Sequence, residues 1–106
     1  MSVQRSAWLL AVVLVLPLGI APGQAETIRV VIDGLVFAPA TVTARRGDTI
    51  EWINKDPFDH TATVKGAWET MLPAGKTVSQ HLDNAEAVDF YCRFHPNMKG
   101  RLTVSE

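Results

Sequence analysis

The chain has 106 residues, a formal net charge of −1, and 47% hydrophobic against 20% charged residues. That length and composition describe one small globular domain, and they argue against a collagen-like, low-complexity or intrinsically disordered chain. Positive and negative side chains are interspersed, so no basic stripe suggests nucleic acid as a partner and no like-charge block suggests a solvated tail.

Residues 1–25 read as a secretory signal peptide. Arg5 supplies the positive start, Ala7 to Leu16 is apolar throughout, Pro17 and Gly19 follow, and Gly23-Gln24-Ala25 is a small-residue exit with cleavage expected after Ala25. The apolar run is about half of the roughly twenty residues that a spanning helix requires. The expected mature domain is therefore residues 26–106, exported to the periplasm as a monomer with no membrane span.

Small exported domains have little core and often need a covalent or metal staple. The sequence has one cysteine, Cys92, which cannot form an internal disulfide. A metal is the remaining staple, and ligation also explains how a lone thiol persists in an oxidising compartment.

Along the domain, the pattern is one of short strands between turn signals. Thr27 to Ile32 is rich in β-branched residues and stops at Asp33-Gly34. Leu35 to Phe37 is halted by Pro39, and Thr41 to Ala44 runs into Gly47-Asp48. Thr49 to Asn54 alternates, with Ile50, Trp52 and Asn54 on one face. Further strands are expected at Thr61 to Val64, Thr77 to Leu82, Val88 to Cys92 and Arg101 to Val104. No long segment has helical periodicity. The fold class is all-β, a sandwich or barrel closed around Trp52, Phe37, Val42, Leu82 and Leu102.

The chemistry is concentrated between Tyr91 and Gly100, where Cys92, His95 and Met98 recur at three-residue spacing. On a continuing strand Cys92 and His95 would point to opposite faces, so a turn has to bring them together, and Pro96 resists a central strand. Cys92 should end one strand and Gly100 open the next. A thiolate, an imidazole and a thioether suit copper cycling between Cu(I) and Cu(II), in a His₂Cys set with a weak axial Met. The second histidine is His60, which follows the turn-forming run Asn54 to Asp59 at the start of a strand. Elsewhere, His81 reads as a solvated strand histidine and Trp52 as core. Structural zinc would call for more cysteine or histidine, and no haem-attachment, phosphate-loop or nucleophile-elbow motif is present.

Taken together, Phe37-x-Pro39, Gly47-Asp48-Thr49-Ile50-x-Trp52-x-Asn54-x-Asp56, His60-Thr61 and Tyr91-Cys92-x-x-His95-Pro96-x-Met98-x-Gly100 resemble the cupredoxins, the small blue-copper proteins. The short loop is most similar to the amicyanin-type members, with plastocyanin and pseudoazurin as broader relatives. The resemblance implies a Greek-key β-sandwich holding one type 1 copper on His60, Cys92, His95 and Met98. It also implies that Asn54 braces the His60 segment against the Cys92 loop. Arg93 stands where relatives carry a small hydroxyl residue, and Phe94 and Asn97 also depart from the amicyanin loop.

The implied function is one-electron transfer, with no enzymatic activity of its own. The electron would pass through His95 at the loop apex to a redox protein such as a c-type cytochrome or periplasmic dehydrogenase. Phe58, Met71, Leu72, Phe94 and Pro96 are the candidate docking surface. In short-loop relatives the surface histidine can leave Cu(I) and take a proton, which implies a potential that rises as pH falls. The competing reading is a periplasmic copper carrier or storage protein without a shuttle role.

Overall fold

The structure, a computed structural model, describes residues 24–106. The signal peptide expected over residues 1–25 therefore lies, apart from Gln24 and Ala25, outside the described residues.

Nine strands form among the described residues: β1 (Thr27–Ile32), β2 (Phe37–Ala38), β3 (Thr41–Arg45), β4 (Thr49–Asn54), β5 (His60–Val64), β6 (Trp68–Leu72), β7 (Thr77–His81), β8 (Glu86–Tyr91) and β9 (Lys99–Ser105). They make two sheets, ordered β2-β1-β4-β7 and β3-β9-β8-β5-β6. Each sheet contains a parallel pair, β1 with β4 and β3 with β9, and the remaining pairs are antiparallel.

The expected strands are present with ends no more than two residues from those expected, except that Leu35 and Val36 belong to the turn before β2. Strand β6 is additional. Its sequence, Trp68-Glu69-Thr70-Met71-Leu72, alternates weakly because polar Thr70 stands on the more buried face and apolar Met71 on the exposed one. Pairing with β5 sets its faces: Leu72 lies opposite His60 and is fully buried, whereas the neighbouring Met71 is 44% exposed. Leu72 therefore contributes core and not docking surface, a correction to the sequence reading.

All five residues expected in the core are buried. At its centre the rings of Phe37, Trp52 and Phe90 meet edge to face, with centroids 4.9 to 5.9 Å apart. Such pairs add about 0.5–1.5 kcal/mol each beyond their area burial. The Trp52 indole N–H donates to Gln80 Oε1 at 3.0 Å, so its polar atom has a partner beside the core.

Registry brings the chemistry to one pole. Ile32 pairs with Asn54, His60 with Leu72, and Tyr91 with Lys99, so β1, β4 and β5 to β9 all present an end there or turn over it. Beside this pole Gly100 faces Phe90, and a β-carbon on it would press into the Phe90 ring and lie 2.7 Å from the Ala40 carbonyl oxygen. Only glycine lets the returning strand pass that close.

Candidate metal centre

Three donors converge from two segments. Cys92 follows the end of β8, His60 begins β5, and His95 sits in the loop between β8 and β9. Their ligating atoms lie within 4.8 Å of one another, with Cys92 Sγ 3.6 Å from His60 Nδ1 and 3.7 Å from His95 Nδ1. Metal bonds of about 2.0 Å to imidazole and about 2.3 Å to thiolate, opened to 120°, would hold sulfur and nitrogen about 3.7 Å apart. The donor set fits a trigonal metal.

The loop is shaped by its own backbone. Cys92 N–H donates to Met98 O at 3.0 Å and closes the loop, while His95 N–H donates to Cys92 O and Met98 N–H to His95 O at 3.2 and 2.8 Å. Two successive turns thus account for the three-residue spacing, as each carries the chain from one candidate ligand to the next. Met98 is buried at the loop's end, 4% exposed.

The histidines have different surroundings. His60 is fully buried and its Nε2 lies 2.9 Å from Asp56 Oδ2. The Asp56 carboxylate also accepts the N–H groups of Gly34 and Leu35 at 2.7 and 2.9 Å. Burial by itself would raise the Asp56 pKa, but the bonds from Leu35, His60 and Gly34 outweigh it and hold the group below the usual carboxylate range. An ionised carboxylate only accepts, so the bond is donated by His60 Nε2–H, and Nδ1 is the ring nitrogen that faces the Cys92 sulfur. This is the carboxylate–histidine arrangement that fixes a ligand's tautomer and ring orientation.

The sequence pattern includes Asp56 without revealing this role. The signal was its position four residues before His60, across a proline-containing turn. It serves a second purpose at Leu35, a non-glycine residue in the left-handed region with φ 64°. That conformation costs roughly 1–2 kcal/mol, which the hydrogen bonds from the Gly34–Leu35 turn help to offset.

Asn54 is also central, with a different partner from the one expected. Its side-chain amide donates to Phe58 O at 2.8 Å and Leu72 O at 2.9 Å, and its Oδ1 accepts the Asp56 N–H at 2.9 Å. It therefore ties the His60 approach to β6 instead of to the Cys92 loop. The bond from β5 to that loop comes from Thr61, whose Oγ1 accepts the Arg93 N–H at 2.8 Å.

His95 is half-buried, with its ring centroid 5.0 Å from that of His60 and 6.1 Å from that of Phe58. Beside it, Phe58 and Phe94 are 51% and 44% exposed, and Pro96 is exposed as well, while Met71, 44% exposed, lies on β6 opposite Thr61. Leu35, 42% exposed, is an addition to this face. Leu35 shares a surface depression with Phe94, His95, Pro96, Asn97 and Met98. A two-residue apolar turn tip carries no periodicity by which the sequence could have placed it.

The sandwich and its donor set define a type 1 copper-binding domain. Residues 6–104 match the cupredoxin-like domain family, and the chain belongs to it. Among its relatives, plastocyanin of Scenedesmus fuscus is 33% identical over 85 residues, covering 66% of this chain and 87% of that protein. Amicyanin of Paracoccus versutus is 24% identical, covering 83% and 72%. The solved structure of that amicyanin aligns at 25% identity with a TM-score of 0.65, over 80% of this chain and 85% of that one. A copper-containing nitrite reductase from Thermus scotoductus aligns over 74% of this chain at 26% identity and a TM-score of 0.67, but only 22% of its own length is matched. His60, Cys92 and His95 are positioned to form a type 1 copper site.

Proposed function

We propose that the chain is a periplasmic one-electron carrier in which His60, Cys92, His95 and Met98 would hold a single copper ion. A bound copper ion supplies the redox chemistry by cycling between Cu(I) and Cu(II). The observation that carries this reading is the pair of sulfur–nitrogen separations, 3.6 and 3.7 Å, in a site already folded to receive a trigonal ion.

The surrounding residues support a carrier that changes oxidation state without changing shape. Asp56 and the core fix His60, while the two loop turns fix Cys92 and His95. The buried Cys92 thiolate is shielded from solvent oxidants. His95 offers the more exposed imidazole, framed by Phe58, Phe94 and Pro96 and extended by Leu35, with Met71 a further exposed apolar side chain on β6. A small apolar face suits a redox partner, such as a c-type cytochrome or a periplasmic dehydrogenase, that binds briefly and releases. The proposal assigns no enzymatic role.

Stopped-flow mixing of the Cu(I)-loaded protein with an oxidised c-type cytochrome tests it. The expected result is second-order electron exchange with copper retained. Copper lost to a chelator faster than electrons reach the cytochrome would instead indicate a carrier or storage protein.

A further inference from the structure

The strand that delivers His60 also buries two hydroxyls outside the donor set, Thr61 at 0% and Thr63 at 7% exposure. Their hydrogen bonds form a closed circuit. The Arg93 backbone N–H donates to Thr61 Oγ1 at 2.8 Å, the two threonine hydroxyls are 2.8 Å apart, and Thr63 Oγ1 donates to Glu69 Oε1 at 2.8 Å. Glu69 also accepts two bonds from the Arg93 guanidinium, Nε to Oε1 at 2.8 Å and Nη2 to Oε2 at 2.9 Å. The circuit thus begins and ends on one residue, Arg93.

A hydroxyl has a single hydrogen, which settles the direction of every bond. Thr63 gives its proton to the carboxylate, so Thr61 donates to Thr63 and accepts from the Arg93 peptide. All donors point towards Glu69, an order in which each bond polarises the next and the last is charge-assisted. The bonds from Arg93 and Thr63 hold the Glu69 pKa below the ordinary carboxylate value, consistent with an anion at the end of the chain. The Arg93 guanidinium also lies 4.7 Å from the centroid of the Phe94 ring, linking the circuit to the exposed face.

We propose that Thr61, Thr63, Glu69 and Arg93 are positioning groups for Cys92, pinning the peptide bond that follows it and so the direction of its sulfur. On its other side, Cys92 is held by its own N–H bond to Met98 O at 3.0 Å. None of the circuit's hydrogen bonds ends on a donor atom, so it acts through the Cys92 backbone. Its spectroscopic consequence rests on the copper reading above, but the circuit itself exists without metal.

Thr63→Val, nearly isosteric and suited to a strand, breaks the circuit while keeping the Arg93–Glu69 ion pair. In the metal-free protein Thr61 then loses the acceptor that orients its hydroxyl towards the Arg93 N–H, and the Arg93 amide should exchange with solvent faster, by up to the roughly fivefold that corresponds to the ~1 kcal/mol of a typical hydrogen bond. In the copper-loaded protein the thiolate-to-copper absorption band and the reduction potential should both shift. Glu69→Gln provides a second route, since it keeps the shape and removes the charge. Its potential should rise, because losing a nearby negative charge favours Cu(I), and the rise should shrink with added salt because the ion pair is partly exposed.

Unchanged Arg93 exchange in Thr63→Val overturns the circuit. Faster exchange with an unmoved band and potential in both variants overturns its role in positioning Cys92. A parent protein that gives no thiolate-to-copper band would sink the copper reading, while the exchange experiment would still decide the circuit.

Discussion

The two histidines of the site are held by opposite means. His60 starts a fully buried strand, is oriented by a carboxylate, and packs beneath a rim tied by Asn54 to the opposing sheet. His95 is carried on a loop closed by backbone bonds, and its own flank is half open to solvent. The first arrangement resists change because moving the ring would leave several buried polar groups unpaired. The second places an imidazole where a partner can approach. A single site thus combines a fixed wall with an accessible one, and substitutions on the two sides should behave differently.

The largest effect is expected at Asp56. Asp56→Ala removes the acceptor for His60 Nε2 and for the Gly34 and Leu35 N–H groups at once. It should destabilise the metal-free protein by about 3 kcal/mol, as read by urea unfolding, since the buried His60 N–H orphan costs about 1–3 kcal/mol and the part-buried Gly34 and Leu35 N–H groups lose a charged acceptor as well. A loss no larger than that of an ordinary surface substitution would remove the idea of a fixed wall.

Next is Gly100→Ala, which forces a methyl group against Phe90 and the Ala40 carbonyl. Overpacking of this kind costs about 1–3 kcal/mol. Thermal unfolding should show the loss, and a near-neutral result would mean that β9 can move away from β8 without penalty.

Acid should weaken the protein from the end remote from the site as well. The Asp48 carboxylate accepts the N–H groups of Arg45 and Glu26 at 2.8 and 2.9 Å, and these two bonds, in that order, lower its pKa despite burial. A depressed folded-state pKa stabilises the native state above the unfolded value of about 4, and that contribution is lost as pH falls through the folded value. The metal-free unfolding midpoint should be insensitive to Asp48 ionisation near neutrality and fall below about pH 4. Asp48→Asn should flatten part of that decline, and an identical acid profile in the variant would contradict the assignment.

The smallest effect on stability belongs to the accessible wall. Phe94→Ala and Phe58→Ala remove half-exposed rings and should change unfolding free energy by about 0.5 kcal/mol or less. Their effect should be on electron exchange with a cytochrome, measured as a fall in the second-order rate constant. Unaltered rates in both variants would move the docking surface elsewhere.

Much of the fixed wall was legible in the sequence because it obeys a period. Ile50, Trp52 and Asn54 alternate inward along β4, and the turn residues around Gly47, Asp33 and Gly34 bound the strands on either side. The convergence of His60, Cys92 and His95 followed from ligand chemistry and from where strands end. What escaped depended on pairing between distant segments. Strand β6 is an edge strand, and Leu72 became core only through its place opposite His60. The role of Asp56 depends on two N–H groups presented by a turn more than twenty residues earlier. The partner of Asn54 is likewise a carbonyl on β6, the strand that the sequence did not disclose.

His60, Cys92 and His95 are positioned to form a trigonal copper site with Cys92 as its thiolate. Titration of Cu(II) into the metal-free protein, followed by visible absorption for the parent chain and Cys92→Ala, tests this. An intense blue thiolate-to-copper band saturating at one copper per chain is expected in the parent, with no such band in Cys92→Ala. A colourless parent, or an equally blue Cys92→Ala, would contradict it.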